Sequence, residues 1–159
     1  MAGRTLTVTM ADDDLIPAWQ TVVELAQDGV SAEWTLVGGL MVYAHARRAG
    51  IVMRRPTDDV DVLVDYWTNR ASLSQARTAL GGIGFSINQG GKHAYRFTHE
   101  DGRKLDLMVA DHLPSRMEPR LDRRPAFAAP GGEQAIRRRD IYHLQFASGV
   151  VATVGVPDE

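Results

Sequence analysis

Apolar and polar positions divide the chain into short alternating runs and longer helical ones. Thr5-Leu6-Thr7-Val8-Thr9-Met10 alternates, as a half-buried strand or an extended tail would. Asp12-Asp13-Asp14 then offers an N-cap and favourable charge for a helix start. Leu15, Ile16, Trp19, Val22, Val23 and Ala26 follow at helical spacing, and Asp28-Gly29 ends that helix. Residues 34–37 form a short apolar run that stops at Gly38-Gly39. From residue 40 to about residue 48 the chain favours a helix, which Gly50 closes. A strand spans about 59–64. A helix spans about 71–80, with Leu73, Ala76 and Leu80 on one face and Gly81-Gly82 at its end. Residues 84–88 and 93–99 read as strands around a Gly90-Gly91 turn, and Asp101-Gly102 is a hairpin signal leading into a strand over 104–109. In the stretch 113–139, Pro114, Pro119, Pro125 and Pro130 forbid a long helix. Residues 141–146 and 150–154 make a last hairpin around Ser148-Gly149. The pattern predicts one α+β domain over residues 1–159, a mixed β-sheet with flanking helices. Its core lies at about 12–112, followed by the Pro/Arg stretch and the hairpin.

Composition narrows the chemistry. The chain of 159 residues has no cysteine, which removes disulfides, thiolate metal sites and cysteine nucleophiles. No apolar run approaches the ~18 residues of a membrane span, and the N-terminus lacks a signal-peptide pattern, so the expectation is a cytoplasmic protein with no membrane partner. The net charge of −2 hides an asymmetry. Residues 1–30 carry Arg4 against five carboxylates, whereas residues 114–143 carry seven arginines against four. Arg123-Arg124 and Arg137-Arg138-Arg139 are a candidate RNA-backbone footprint, or simply a solvated loop.

The candidate chemistry lies in Leu36-Val37-Gly38-Gly39-Leu40 and in Arg55-Pro56-Thr57-Asp58-Asp59-Val60-Asp61. On an extended strand Asp59 and Asp61 share one face, and Val60, Val62 and Val64 share the other. Adjacent carboxylates repel, and a divalent cation is a common compensation: magnesium takes hard oxygen ligands from one or two carboxylates plus substrate phosphates. Asp106 stands in similar surroundings, with Leu105, Leu107 and Val109 on the opposite face. If its strand neighbours the first, three acids converge, enough to hold two metal ions ~3.5–4 Å apart. Gly38-Gly39 falls between a strand and a helix, where bare backbone N–H groups approach a phosphate.

This ordered set resembles the nucleotidyltransferase superfamily with the polymerase-β-like fold, and within it the AbiEii-type toxin nucleotidyltransferases that include the MenT enzymes. The likeness covers roughly residues 15–110. It rests on Leu36-Val37-Gly38-Gly39, on Arg55-x-Thr57-x-Asp59-Val60-Asp61 and on Leu105-Asp106-Leu107. The resemblance implies that Asp59, Asp61 and Asp106 are catalytic and hold magnesium, with two ions expected. It implies that Gly38 and Gly39 hold the triphosphate, and that Arg55 and Thr57 brace the loop or contact the nucleotide. The implied reaction moves a nucleoside monophosphate from an NTP to an acceptor hydroxyl on tRNA, another RNA or a protein, releasing pyrophosphate, with a cognate antitoxin as partner. Two other readings stay open: transfer to a small molecule such as an antibiotic, and a nucleotide-binding regulatory module without turnover. Leu40 stands where many members have Ser or Thr. The chain stops at Val156-Pro157-Asp158-Glu159, about where AbiEii-type proteins continue into a helical region, as a compact variant or a piece of a larger protein would.

His93, Arg96 and His99 lie on the strand before Asp106, and His93 and Arg96 are candidate substrate contacts. A two-residue Asp101-Gly102 turn pairs Phe97 with Asp106 and turns His93 and His99 to the acidic face. A three-residue loop turns Arg96 there instead, because a slip of one residue flips every side chain. Gly90-Gly91-Lys92 fails as a phosphate-binding loop, since Ser86 replaces the first glycine and His93 the final Ser or Thr. No His-x-x-x-His or Gly-x-Ser-x-Gly spacing points to zinc or to a serine hydrolase.

Overall fold

The computed structural model describes residues 3–11, 13–28, 33–53 and 58–158. Its elements in chain order are β1 (Thr5–Ala11), α1 (Pro17–Gln27), β2 (Thr35–Val37), α2 (Gly38–Arg48), β3 (Asp59–Val64), α3 (Ser72–Gly82), β4 (Phe85–Ile87), β5 (Arg96–His99), β6 (Lys104–Ala110), β7 (Arg120–Leu121), β8 (Arg124–Pro125), β9 (Ala128–Ala129), α4 (Gly132–Arg137), β10 (Arg139–Phe146) and β11 (Val151–Pro157). The main sheet runs β1-β10-β11-β2-β3-β6-β5-β4, with β9 added against β6, while β7 and β8 form a separate two-stranded ribbon. Pairing is parallel for β1–β10, β11–β2 and β3–β6, and antiparallel for the other neighbours along the main order. The expected α+β class with a mixed sheet is what the chain adopts. Among the described residues no helix is long and apolar enough to cross a membrane.

Strand alternation gives the sheet two unlike faces. One face presents Val8, Tyr142, Leu144, Val154, Leu36, Val60, Val62, Leu105, Leu107 and Phe97, all buried in one cluster with side chains of α1, α2 and α3. Trp19 of α1 anchors it, fully buried and edge-on to Tyr43 of α2 at 5.8 Å. The other face is polar along much of its length. Short α4 covers one end of it: a Cβ at Gly132 would stand 3.2 Å from Ala110 Cα and 3.5 Å from the Leu63 methyls. Leu63 alternates in step with Asp59 and Asp61, so α4 packs over the far end of the acidic face.

Several local expectations change. Of the aspartate cluster, Asp12 lies outside the described residues and Asp13 does not cap α1. Asp13 lies in a 3-10 turn, α1 starts at Pro17 with Ile16 at the N-cap, and no side chain caps it. Proline suits that first position because its missing N–H would go unpaired there anyway. Asp13 is instead buried in a two-bond ion pair with Arg47 of α2. Helix α3 runs on through Gly81-Gly82, with Ile83 at its C-cap. The strand expected over 93–99 forms only from Arg96, and Ala94 makes a lone bridge to Ala126. The N-terminal alternation is a strand, edge-paired with β10, and the last hairpin forms as expected with longer arms.

Candidate active site

The valines of β3 are drawn into the core, which forces Asp59 and Asp61 to the opposite face, where both are half-buried. Parallel pairing then sets Asp61 directly beside Asp106 of β6, whose neighbours Leu105 and Leu107 point into the core. Adjacent strands lie ~4.8 Å apart, so the two carboxylates are immediate neighbours.

The turn between β5 and β6 decides what stands on the other side of Asp106. His99 N–H donates to Arg103 O at 2.9 Å and Gly102 N–H to His99 O at 3.0 Å, enclosing a three-residue loop. Gly102 has φ +93°, the left-handed position such loops require. Arg96 therefore pairs with Asp106. Its Nε donates to Asp106 Oδ1 at 2.8 Å and its Nη2 to Oδ2 at 2.9 Å, a fork that uses both oxygens. The two-residue alternative, with His93 and His99 on the acidic face, is not what forms. His99 packs on Phe85 at 5.2 Å and meets Asp101 at 3.0 Å.

On the far side of β3, Val37 of β2 pairs with Asp61, and Gly38 follows at once as the first residue of α2. Gly38 has φ +67°, and a Cβ there would fall on Asp61 Oδ2 and 3.1 Å from Cγ. Conformation and space both demand glycine. Gly38 and Gly39 are exposed, whereas Leu40 is fully buried in the core. Val37 at the N-cap has no side-chain acceptor and the first turn carries no acid, so neither caps the N–H groups that open α2. Arg55 and Thr57 lie outside the described residues.

Burial, and then the charges of Asp106 and Asp59, push the Asp61 carboxyl up to about 6 against an opposing pull from Arg96. The hydrogen bonds to Asp106 hold the Arg96 guanidinium in its charged form more firmly than an ordinary arginine. Among the described residues no three His, Asp or Glu side chains stand ready as a metal cage. The strands align the acids, but Arg96 takes both oxygens of the third.

Arg96 also borders a cleft of about 400 Å³ lined by Asn88, Lys92, His93, Tyr95, Arg124 and Phe127 among others, with no carboxylate. Phe127 lies 5.4 Å from Tyr95 and 5.8 Å from His93. Arg124 is pinned on the rim by the carbonyls of Gly90 and Asn88 and by the Asp122 carboxylate at 3.3 Å. His93 thus belongs to this cleft. Phe127 carried no sequence signal, because it reaches the cleft through the pairing of β9 with β6. In the Arg137–Arg139 run the three arginines meet Glu133, Asp158 and Thr35 respectively.

Compared with family models, with curated proteins and with solved structures, the chain matches none.

Proposed function

We propose that this chain is a nucleotidyltransferase of the polymerase-β-like fold, transferring a nucleoside monophosphate from an NTP to an acceptor hydroxyl and releasing pyrophosphate. One observation carries the reading: Asp61 sits beside Asp106 on neighbouring parallel strands, with Asp59 on the same face and the Gly38 turn against it. Asp61 is raised to about 6 by burial and then by the charges of Asp106 and Asp59, a crowding that a bound cation would relieve.

The donor set suits a divalent cation, being hard carboxylate oxygens whose repulsion at Asp61 the charge of Arg96 offsets only in part. Asp59 and Asp61 would hold it, and Asp106 would join them when Arg96 releases it. Bound magnesium would supply charge neutralisation at the transferred phosphoryl group and acidify the attacking hydroxyl. The N–H groups at Gly38 and Gly39 bind phosphate oxygens at the positive end of α2. Asp106, nearest the basic cleft, accepts the proton of the acceptor hydroxyl. The protein's work is positioning and charge placement. A toxin-type role, with tRNA, another RNA or a protein as acceptor, follows the same resemblance. A second reading, a regulatory module that binds nucleotide without turnover, is favoured by the Arg96 fork closing off Asp106.

The test incubates the protein with each α-labelled NTP and magnesium, adding in turn total tRNA, cell protein and an aminoglycoside panel. Label moving to one acceptor, and lost in Asp61→Asn with the fold intact, supports transfer. Nucleotide binding without transfer supports the regulatory reading. Normal transfer by Asp61→Asn overturns the site.

A further inference from the structure

The Arg96–Asp106 fork joins two environments. Asp106 has 14% of its side chain exposed and Arg96 36%, so the carboxylate is held inside the site while the guanidinium stands at its boundary. On one side Arg96 feels Asp106 and then the charge of Asp59. On the other it opens on a cleft with Lys92 and Arg124, the latter also ion-paired with Asp122 at 3.3 Å. A guanidinium binds a phosphate with the same planar fork it offers a carboxylate. Swinging between the two exchanges one bidentate partner of Arg96 for another and leaves Asp106, which is 14% exposed, to pair with a cation. The Tyr95 ring, 6.0 Å from the guanidinium, gives a flat surface along which it can move.

We propose that Arg96 is a positioning residue that trades Asp106 for a phosphate of the substrate in this cleft, so that Asp106 becomes a cation ligand only once substrate has arrived. The inference rests on the nucleotidyltransferase reading and adds an order of assembly to it. Without substrate the arginine occupies the third carboxylate and keeps the metal site weak. Phosphate in the cleft draws the fork away, and Asp106 turns to the cation. Linkage makes the effect mutual: whatever factor the phosphate gives to cation binding, the cation gives to phosphate binding.

The test needs no turnover. Binding of Mn²⁺ alone is measured by electron paramagnetic resonance for the wild type, Arg96→Gln, Arg96→Lys and Asp61→Asn. In metal-free buffer, the Arg96 Nε–H resonance is followed by NMR during titration with inorganic phosphate, assigned by its loss in Arg96→Gln. Arg96→Gln is expected to bind Mn²⁺ about tenfold tighter than the wild type, a coupling of ordinary size. Arg96→Lys is expected to bind tighter as well, because a point charge cannot hold both oxygens. Phosphate is expected to move the Arg96 resonance saturably. A purely electrostatic role for Arg96 leaves Arg96→Lys at the wild-type level and overturns the exchange, as does a resonance indifferent to phosphate. Asp61-dependent Mn²⁺ binding that is equal in the wild type and both Arg96 variants sinks this inference alone. Absence of any Asp61-dependent binding sinks the nucleotidyltransferase reading with it.

Discussion

Gly38 lies against Asp61 so closely that the carboxylate occupies the space a side chain at position 38 would need. The strand-to-helix turn and the acidic face are therefore one unit. The turn that would cradle phosphate is shaped by the same atoms that would hold the cation.

Gly38→Ala tests that unit. Alanine at φ +67° meets the left-handed penalty of roughly 1–2 kcal/mol, and its methyl must also displace Asp61. Gly50→Ala is the matched control, at φ +75° with nothing within 4 Å. Urea unfolding is expected to show a similar backbone cost for both variants, and a larger total for Gly38→Ala. Transfer and Mn²⁺ binding are expected to fall at least tenfold in Gly38→Ala only.

The acids also set a pH dependence. Asp61 titrates near 6 in the folded chain against 3.8 as its ordinary value, so between those values the folded protein binds the extra proton. Stability from this group is greatest below the unfolded value and is lost as pH rises through about 6. Asp61→Asn removes the dependence. Without metal, the variant is expected to match the wild type near pH 4 and to melt at a higher temperature at pH 7.5. Calorimetry across that range checks the sign, and a gap that widens toward low pH contradicts it.

These acids were legible because alternation on a strand assigns faces without knowledge of the rest of the fold. Val60, Val62, Leu105 and Leu107 had to be inside, so Asp59, Asp61 and Asp106 had to be outside. The β5–β6 register was not legible. Asp101-Gly102 suits a two-residue turn, and only the inclusion of Glu100 in the loop put Arg96 rather than the histidines beside Asp106. Asp13 resembled a cap because caps are read locally, whereas its partner Arg47 is 34 residues away. Arg124 and Phe127 reach the cleft through strand pairings that short-range patterns do not encode.

The Asp13–Arg47 pair separates stability from chemistry. Asp13 is 6% exposed and accepts from Arg47 Nε at 2.7 Å and Nη2 at 2.9 Å. Asp13→Ala strands the guanidinium and is expected to cost about 3 kcal/mol. The exposed Arg137–Glu133 pair is expected to matter little, within about 0.5 kcal/mol for Arg137→Ala. Denaturant midpoints test both, and activity per folded molecule should be unchanged in each.

Arg103 closes the β5–β6 loop whose length sets the register of Arg96. Its side chain is 6% exposed, with Nε on Asp101 at 2.8 Å and Nη1 on both Thr21 Oγ1 and Glu24 Oε2 at 3.1 Å. The guanidinium also lies 5.4 Å over the Phe85 ring. One arginine thus fastens the three-residue loop to α1 and to β4. Arg103→Met keeps apolar bulk over Phe85 but releases Asp101 and leaves Thr21 and Glu24 to find water. A loss of about 2–4 kcal/mol is expected. The loop should loosen first, so amide exchange at Gly102 and His99 should accelerate more than at Leu107 in the sheet interior. Because a one-residue slip would turn Arg96 away from Asp106, the Arg96 Nε–H resonance should broaden in the same variant. A sharp, unshifted Arg96 signal in a destabilised Arg103→Met protein would show that strand pairing alone holds the register, without the buried arginine.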